Sequence, residues 1–215
     1  MTEKSPDSIS ILLEGRSHNI YSYPDILVSQ ERQYQGKDWN EAQELLHKEQ
    51  EFMLTPRQFI DLITLLKSGN AYDGTGTKLH QPQINTILDD LLMVRAPWRS
   101  EWLDAQFKIE KKSKTITYHT ITPQGLQQVT EPLEDGLMKD KIPGIDLEDW
   151  LQRATPQGLP PKNVKEGSLY YWHPGNGTVA GFDAFSVRAD FDCNWSPRGS
   201  YSAHGVRSII RGEIK

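Results

Sequence analysis

Apolar positions recur with a helical period through the first hundred residues and lose that period afterwards. Thr55-Pro56-Arg57-Gln58 is a capping box with proline at the first helical position. Behind it Phe59, Ile63 and Leu66, with Leu62 between, share one face until Ser68-Gly69 closes the helix, predicted over 56–68. Pro82 opens a further helix over 82–95 in which Ile84, Ile87, Leu88 and Leu91 follow the i, i+3, i+4, i+7 spacing, and Pro97 stops it. Asn40 is a candidate cap for a shorter helix, Glu41–Gln50, and Asp146 for a short one carrying Leu147, Trp150 and Leu151. Strand signals lie at Ser8–Leu13, at Phe107–Ile109 and Thr115–Ile121 joined by the polar Glu110–Lys114, and at Ser168–Trp172, Thr178–Phe182 and Val206–Ile210. Residues 122–166 hold six prolines and read as loop-rich around the Asp146 helix. The pattern predicts one α+β domain over residues 1–215, with helices in the N-terminal half and a mixed or antiparallel sheet completed by the C-terminal strands.

Composition narrows the function more by exclusion than by indication. Across 215 residues, 24 Lys and Arg stand against 29 Asp and Glu, a net charge of −5. No basic run exceeds Lys111-Lys112, so the electrostatic footprint of nucleic-acid binding is missing. No apolar run approaches the roughly 20 residues of a membrane span, and Met1–Asp7 lacks a charged-then-apolar leader pattern. The lone Cys193 allows neither an intrachain disulfide nor a Cys-based zinc site. The six histidines show no metal-ligand spacing, and no glycine-rich phosphate loop follows a strand. Asp73-Gly74-Thr75-Gly76 lacks the further acids of a calcium loop and reads as a hairpin turn. No cofactor, metal or catalytic set is predicted.

The informative stretch is Asn176–Arg207, which contains no Lys, Glu, Gln or Met. The chain has 14 each of Lys, Glu and Gln, so about six would be expected there at the chain's own usage. Strand content depletes Lys and Glu but accounts less well for Gln. Between Asp183 and His204 there are neither Val/Ile/Leu runs nor clean alternation; aromatics and arginines are interleaved with small polar residues. That mixture is the composition of a binding surface, in which aromatics supply contact area and Ser, Gly and Asn supply adaptable hydrogen bonds. On composition alone an irregular loop with some aromatics tucked inward is an equal alternative.

Val179-Ala180-Gly181-Phe182, Asp192-Cys193, Pro197 and the closing Gly205-Val206-Arg207 resemble the variable region of proteins diversified by diversity-generating retroelements, most closely the archaeal group. In that family a reverse transcriptase mutates template adenines, and asparagine-type codons so altered cannot reach Lys, Glu, Gln, Met or Trp, matching the depletion. Trp195 departs from this and reads as scaffold. The resemblance covers roughly the last 40 residues. It implies a C-type lectin fold whose C-terminal strands display varied side chains to an unknown protein or cell-surface ligand. Calcium-mediated sugar binding is not implied, because the Glu-Pro-Asn, Gln-Pro-Asp and Trp-Asn-Asp signatures are missing.

On this resemblance the variable region is 176–207 and the expected display residues are Asp183, Phe185, Ser186, Arg188, Asp190, Asn194, Ser196, Arg198, Ser200, Tyr201, Ser202 and His204, all facing water. Phe185, Tyr201 and the arginines are the expected affinity anchors. Val179, Phe182, Trp195, Pro197 and Val206 are expected scaffold. Two alternatives stand beside it: an enzyme on a related, sulfatase-activating-like scaffold with a cleft near Asp192, Cys193 and His204, and a structural or assembly protein whose tail merely packs.

Overall fold

A computed structural model describes residues 10–17, 21–122 and 124–211. The first elements are β1 (Ser10–Leu13), β2 (Arg16–Ser17), β3 (Ser22–Tyr23), β4 (Ile26–Ser29), α1 (Trp39–Lys48), β5 (Phe52–Met53), α2 (Pro56–Ser68), β6 (Tyr72–Asp73) and α3 (Gln81–Leu92). The middle of the chain forms β7 (Arg99–Ile109), β8 (Lys114–Thr122), β9 (Gly125–Pro132), β10 (Lys141–Ile145) and α4 (Leu147–Arg153). It closes with β11 (Leu169–Trp172), β12 (Val179–Ala184), β13 (Ala189–Trp195), β14 (His204–Gly205) and β15 (Ser208–Arg211). The mixed α+β architecture predicted above is what these elements make. Positions 8 and 9 of the first predicted strand lie outside the described residues.

Local chemistry sets most boundaries. The α2 capping box forms as expected: Gln58 N–H donates to Thr55 Oγ1, Thr55 N–H donates to Gln58 Oε1, and Gly69 ends the helix in the left-handed region. The first helix starts earlier than its Asn40 expectation, because Asp38 and Glu41 form a capping box of their own. The third ends at Leu92 rather than 95, where Met93 turns extended. Asp73 Oδ1 accepts from Thr75 and Thr77 N–H, fixing the predicted turn.

Two main sheets result. The smaller runs β5-β15-β4-β1-β6, and the larger β10-β11-β13-β12-β7-β8-β9 with β14 against β7. Two large-sheet strands contradict the loop-rich expectation for 122–166, and a third lies in the tail. β9 and β10 are the two edges; β9 is polar on both faces and β10 carries Pro143, which an edge tolerates. β13 crosses the stretch read as irregular and pairs with β12 and β11.

One core joins the two sheets to α2, α3 and α4, with Phe59, Leu62, Trp150, Phe182 and Phe191 among its members. A second, smaller core under α1 holds Trp39, Leu46, Trp102, Val179 and Val206. The end of the chain is locked by charge. Arg207, fully buried, meets Asp90 of α3 at 2.5 Å and Glu101 of β7 at 3.3 Å, and its guanidinium also donates to the Gln30 carbonyl. Asp90 is shared with Arg32, Arg95 and Arg99. The Gly205-Val206-Arg207 ending thus ties the last strand to both cores.

Candidate ligand-binding face

Residues paired directly across neighbouring strands point to the same side of a sheet. In the large sheet Tyr171, Phe191 and Phe182 stand opposite one another and face the main core. One residue along, the pairings Tyr170–Asp190, Asp190–Asp183, Asp183–Ser100 and Ser100–His204 run across β11, β13, β12, β7 and β14. The next row on that outer side is Trp172–Asp192–Gly181–Trp102. Two carboxylates therefore stand side by side in the first row, a third lies beside them in the second, and aromatic rings stand at both ends.

The two flanking loops cover this row. Trp98 stacks on Phe185 at 5.0 Å between ring centres and meets the edges of Tyr201 at 5.8 Å and His204 at 5.6 Å. His204 is boxed further by Trp102 at 4.2 Å, Trp195 at 4.6 Å and Tyr201 at 5.3 Å. At the other end Arg188 donates to Asp190 at 2.9 Å while its guanidinium lies 4.7 Å over the Tyr170 ring and 5.6 Å from that of Phe185.

Burial makes the electrostatics of the row unusual. Asp183 is 1% exposed, and neither carboxylate oxygen has a hydrogen-bond partner. Desolvation raises its pKa well above the carboxylate range, the nearby Asp192 and Asp190 charges add to this, and Ser100 Oγ and Trp195 Nε1 oppose it without closing a bond. Desolvation also raises Asp192, to about 7, against the Asn194 N–H that it accepts. His204 is 0% exposed with both ring nitrogens unpartnered, and burial, helped by the charge of Arg32, lowers it to about 4.

The loop from Ser196 to Ala203 is attached through its main chain. Trp39 N–H donates to the Pro197 carbonyl at 3.1 Å, Ser100 N–H to the Ala203 carbonyl at 3.1 Å, and Arg32 to that same carbonyl at 3.0 Å. Gly199 N–H to Ser196 and His204 N–H to Tyr201 close its internal turns. The side chains of Ser196, Arg198, Ser200, Tyr201 and Ser202 project outward, Tyr201 being 51% exposed.

The expected display residues thus divide into three groups. Ser186, Asn194, Ser196, Arg198, Ser200, Tyr201 and Ser202 face water, and Phe185 and Arg188 are half-buried on the same side. Asp183, Asp190 and His204 differ from expectation and are buried. They stand on paired strands rather than in loops, and the flanking loops close over them. Val179, Phe182 and Val206 are buried as expected of scaffold, with Trp195 and Pro197 half-buried. Trp98, Ser100 and Tyr170 join the face from outside the tail. Only the two-residue alternation of their strands could have announced them.

Asp192, Cys193 and His204 do not converge. Cys193 is buried in the main core, its thiol pushed up by burial, while His204 sits in the aromatic box on the opposite side of the sheet. A second polar cluster lies elsewhere: Asp104 accepts from Gln43 at 2.7 Å and meets His119 Nδ1 at 3.1 Å, with the His47 ring 4.7 Å from that of His119. The cavity against His119, lined also by Tyr118, Arg57 and Gln157, measures about 50 Å³ and touches no residue of the tail. Among the described residues no three His, Cys, Asp or Glu side chains are grouped to hold a metal ion. No helix among them is long and apolar enough to cross a membrane. No family model matches the chain, and neither does any curated protein or solved structure.

Proposed function

We propose that this chain is a non-catalytic ligand-binding protein of C-type lectin fold, with residues 176–207 diversified by a retroelement so that the outer face meets varied targets. The observation that carries the reading is the attachment of the 196–203 loop. Its tertiary hydrogen bonds come from Trp39, Asn40, Ser100 and Arg32 and land on carbonyls, which every residue type possesses. A segment held that way keeps its path while its side chains change. The missing Lys, Glu, Gln and Met between 176 and 207 support diversification by adenine mutagenesis. The half-buried Trp98, Phe185 and Trp195 beside exposed Tyr201 supply the rigid aromatic area that binding surfaces use.

The test is a library in which Ser196, Arg198, Ser200, Tyr201 and Ser202 are randomised together, scored for folding by protease resistance on a display scaffold. Most members should fold, with melting temperatures within a few degrees of the parent. Failure of most members to fold would remove the basis for a changeable surface. A near-identical, asparagine-rich copy of the coding segment beside a reverse transcriptase gene is the matching genomic expectation.

A further inference from the structure

The outer row contains the same recognition unit twice, and the chain completes only one copy with its own cation. In the first copy Asp190 pairs with Tyr170, and the Arg188 guanidinium is bonded to the Asp190 carboxylate, over the Tyr170 ring and 5.6 Å from that of Phe185. In the second copy Asp183 stands one strand over, near Trp195 and paired with Ser100, which pairs in turn with His204 of a ring cluster that includes Trp98, Trp195 and Tyr201, neighbouring rings 4.6 to 5.8 Å apart. Among the described residues no arginine or lysine is bonded to Asp183, and both of its oxygens lack partners at 1% exposure.

We propose that the second copy is a binding site for an organic cation, a guanidinium or ammonium group, held by the Asp183 carboxylate and the rings of Trp98, Trp195 and Tyr201. A buried carboxylate without a partner is costly, and a cation laid against it gains both the ion pair and the ring faces. Ser100 Oγ and the His204 nitrogens, equally unpartnered, are further polar atoms in the same row. Tyr201 is the most exposed ring of the cluster, and the hydrogen bonds that tie its loop to other parts of the chain land on main-chain carbonyls. The charged and titratable groups facing Asp183 are Asp190 and Asp192 on β13, Arg188 on Asp190, and His204 on β14 with Arg32 beyond it. Burial raises the Asp183 pKa, so a cation that favours the charged carboxylate drives proton release, and binding tightens as pH rises.

The inference rests on the proposed reading that this face binds ligands, and the experiment separates the two. The full chain is titrated by calorimetry with N-acetyl-arginine methylamide, its uncharged citrulline counterpart, and a Gly-Gly-Arg-Gly-Gly peptide. The arginine compound should bind at least about tenfold tighter than citrulline. Its heat should differ between buffers of different ionisation enthalpy, in the sense of proton release. A peptide much tighter than the single residue assigns the cation to a partner protein's side chain; equal affinities assign it to a small molecule. Asp183→Asn should cost at least about tenfold in affinity and abolish the proton release without lowering the melting temperature, since it removes a partnerless buried acid. Tyr201→Ala should weaken binding while leaving the fold intact. Equal binding of citrulline and arginine, or unchanged affinity in Asp183→Asn, overturns the inference. Library members that bind other targets through 196–202 while no cation binds at Asp183 would sink this site and leave the broader reading standing.

Discussion

The two sides of β12 and β13 are built from adjacent residues and obey opposite rules. On the inner side Phe182 packs on Phe59 at 5.1 Å and Phe191 stacks on Trp150 at 4.5 Å, and the polar atoms of Tyr171 and Trp150 are hydrogen-bonded to carbonyls. On the outer side, one residue away, Asp183, Asp190 and Asp192 stand among rings with a single arginine between them. The inner side stores stability; the outer side carries partly unmet polar groups that weaken the fold. On the reading proposed above such groups are kept for a ligand, since a surface optimised for stability alone would have replaced them. The 196–203 loop differs again: its hydrogen bonds to the rest of the chain land on carbonyls, and its serine and arginine side chains are exposed.

The largest break in this contrast comes from the inner side. Phe191→Ala should cost about 3–5 kcal/mol, read by denaturant unfolding, because its ring is fully buried between Trp150 and Tyr171. A loss below about 1 kcal/mol would mean that the inner side is not where the fold is held.

The outer side predicts the opposite sign. Asp192 keeps its proton to about pH 7 in the fold, far above an unfolded aspartate. At this group the folded state therefore binds more protons than the unfolded state between about pH 4 and 7, and its contribution to stability falls as pH rises through that window, whereas buried His204 contributes with the opposite sign. Asp192→Asn should be neutral near pH 4 and stabilising by about 2 kcal/mol at pH 7, seen as a flatter profile of melting temperature against pH. A variant less stable than the parent at pH 7 would show Asp192 ionised and favourably partnered in the fold.

A smaller effect tests the cover of the outer side near Trp102, where α1 lies. Asp38→Ala removes the side chain that accepts from Glu41 N–H at 2.8 Å and should cost about 1 kcal/mol. The ring of Trp102 is linked to the same segment, its Nε1 donating to the Lys37 carbonyl at 3.0 Å. Its fluorescence should therefore redden with the loss of the cap.

How far these features were legible depends on the physics that wrote them. The α2 box, the α3 spacing and the α4 cap lie in short windows whose chemistry is local, and they read true. Asp38-x-x-Glu41 was equally local but lay one step outside the apolar period, so Asn40 took its place. Asp190-Phe191-Asp192-Cys193-Asn194-Trp195 does alternate, yet Asp and Asn are poor strand formers and their alternation passed for loop composition. The surface character of 196–202 was visible in its small polar residues. The burial of Asp183, Asp190 and His204 was not, because it is decided by Trp98, Ser100 and Tyr170, brought there only by strand pairing.

The smallest effect sharpens the contrast most, because it asks whether the loop is indifferent to its own side chains. Ser196, Ser200 and Ser202 are exposed, and the only bond from these hydroxyls to the loop's own backbone is Ser196 Oγ accepting from Arg198 N–H at 3.3 Å, a long contact inside the turn. Beside it the Gly199 N–H to Ser196 carbonyl bond at 3.0 Å closes the same turn through the main chain alone. Replacing all three serines by alanine should change stability by less than about 0.5 kcal/mol and leave Trp195 and Tyr201 in contact, checked by unfolding curves and near-ultraviolet circular dichroism. The same triple change made at Phe182, Phe191 and Cys193 would leave no folded protein to measure, and that difference is what lets one strand pair serve both sides. A loss of 2 kcal/mol or more from the serines would show side chains, not carbonyls, holding the loop, and a surface so fastened could not vary freely.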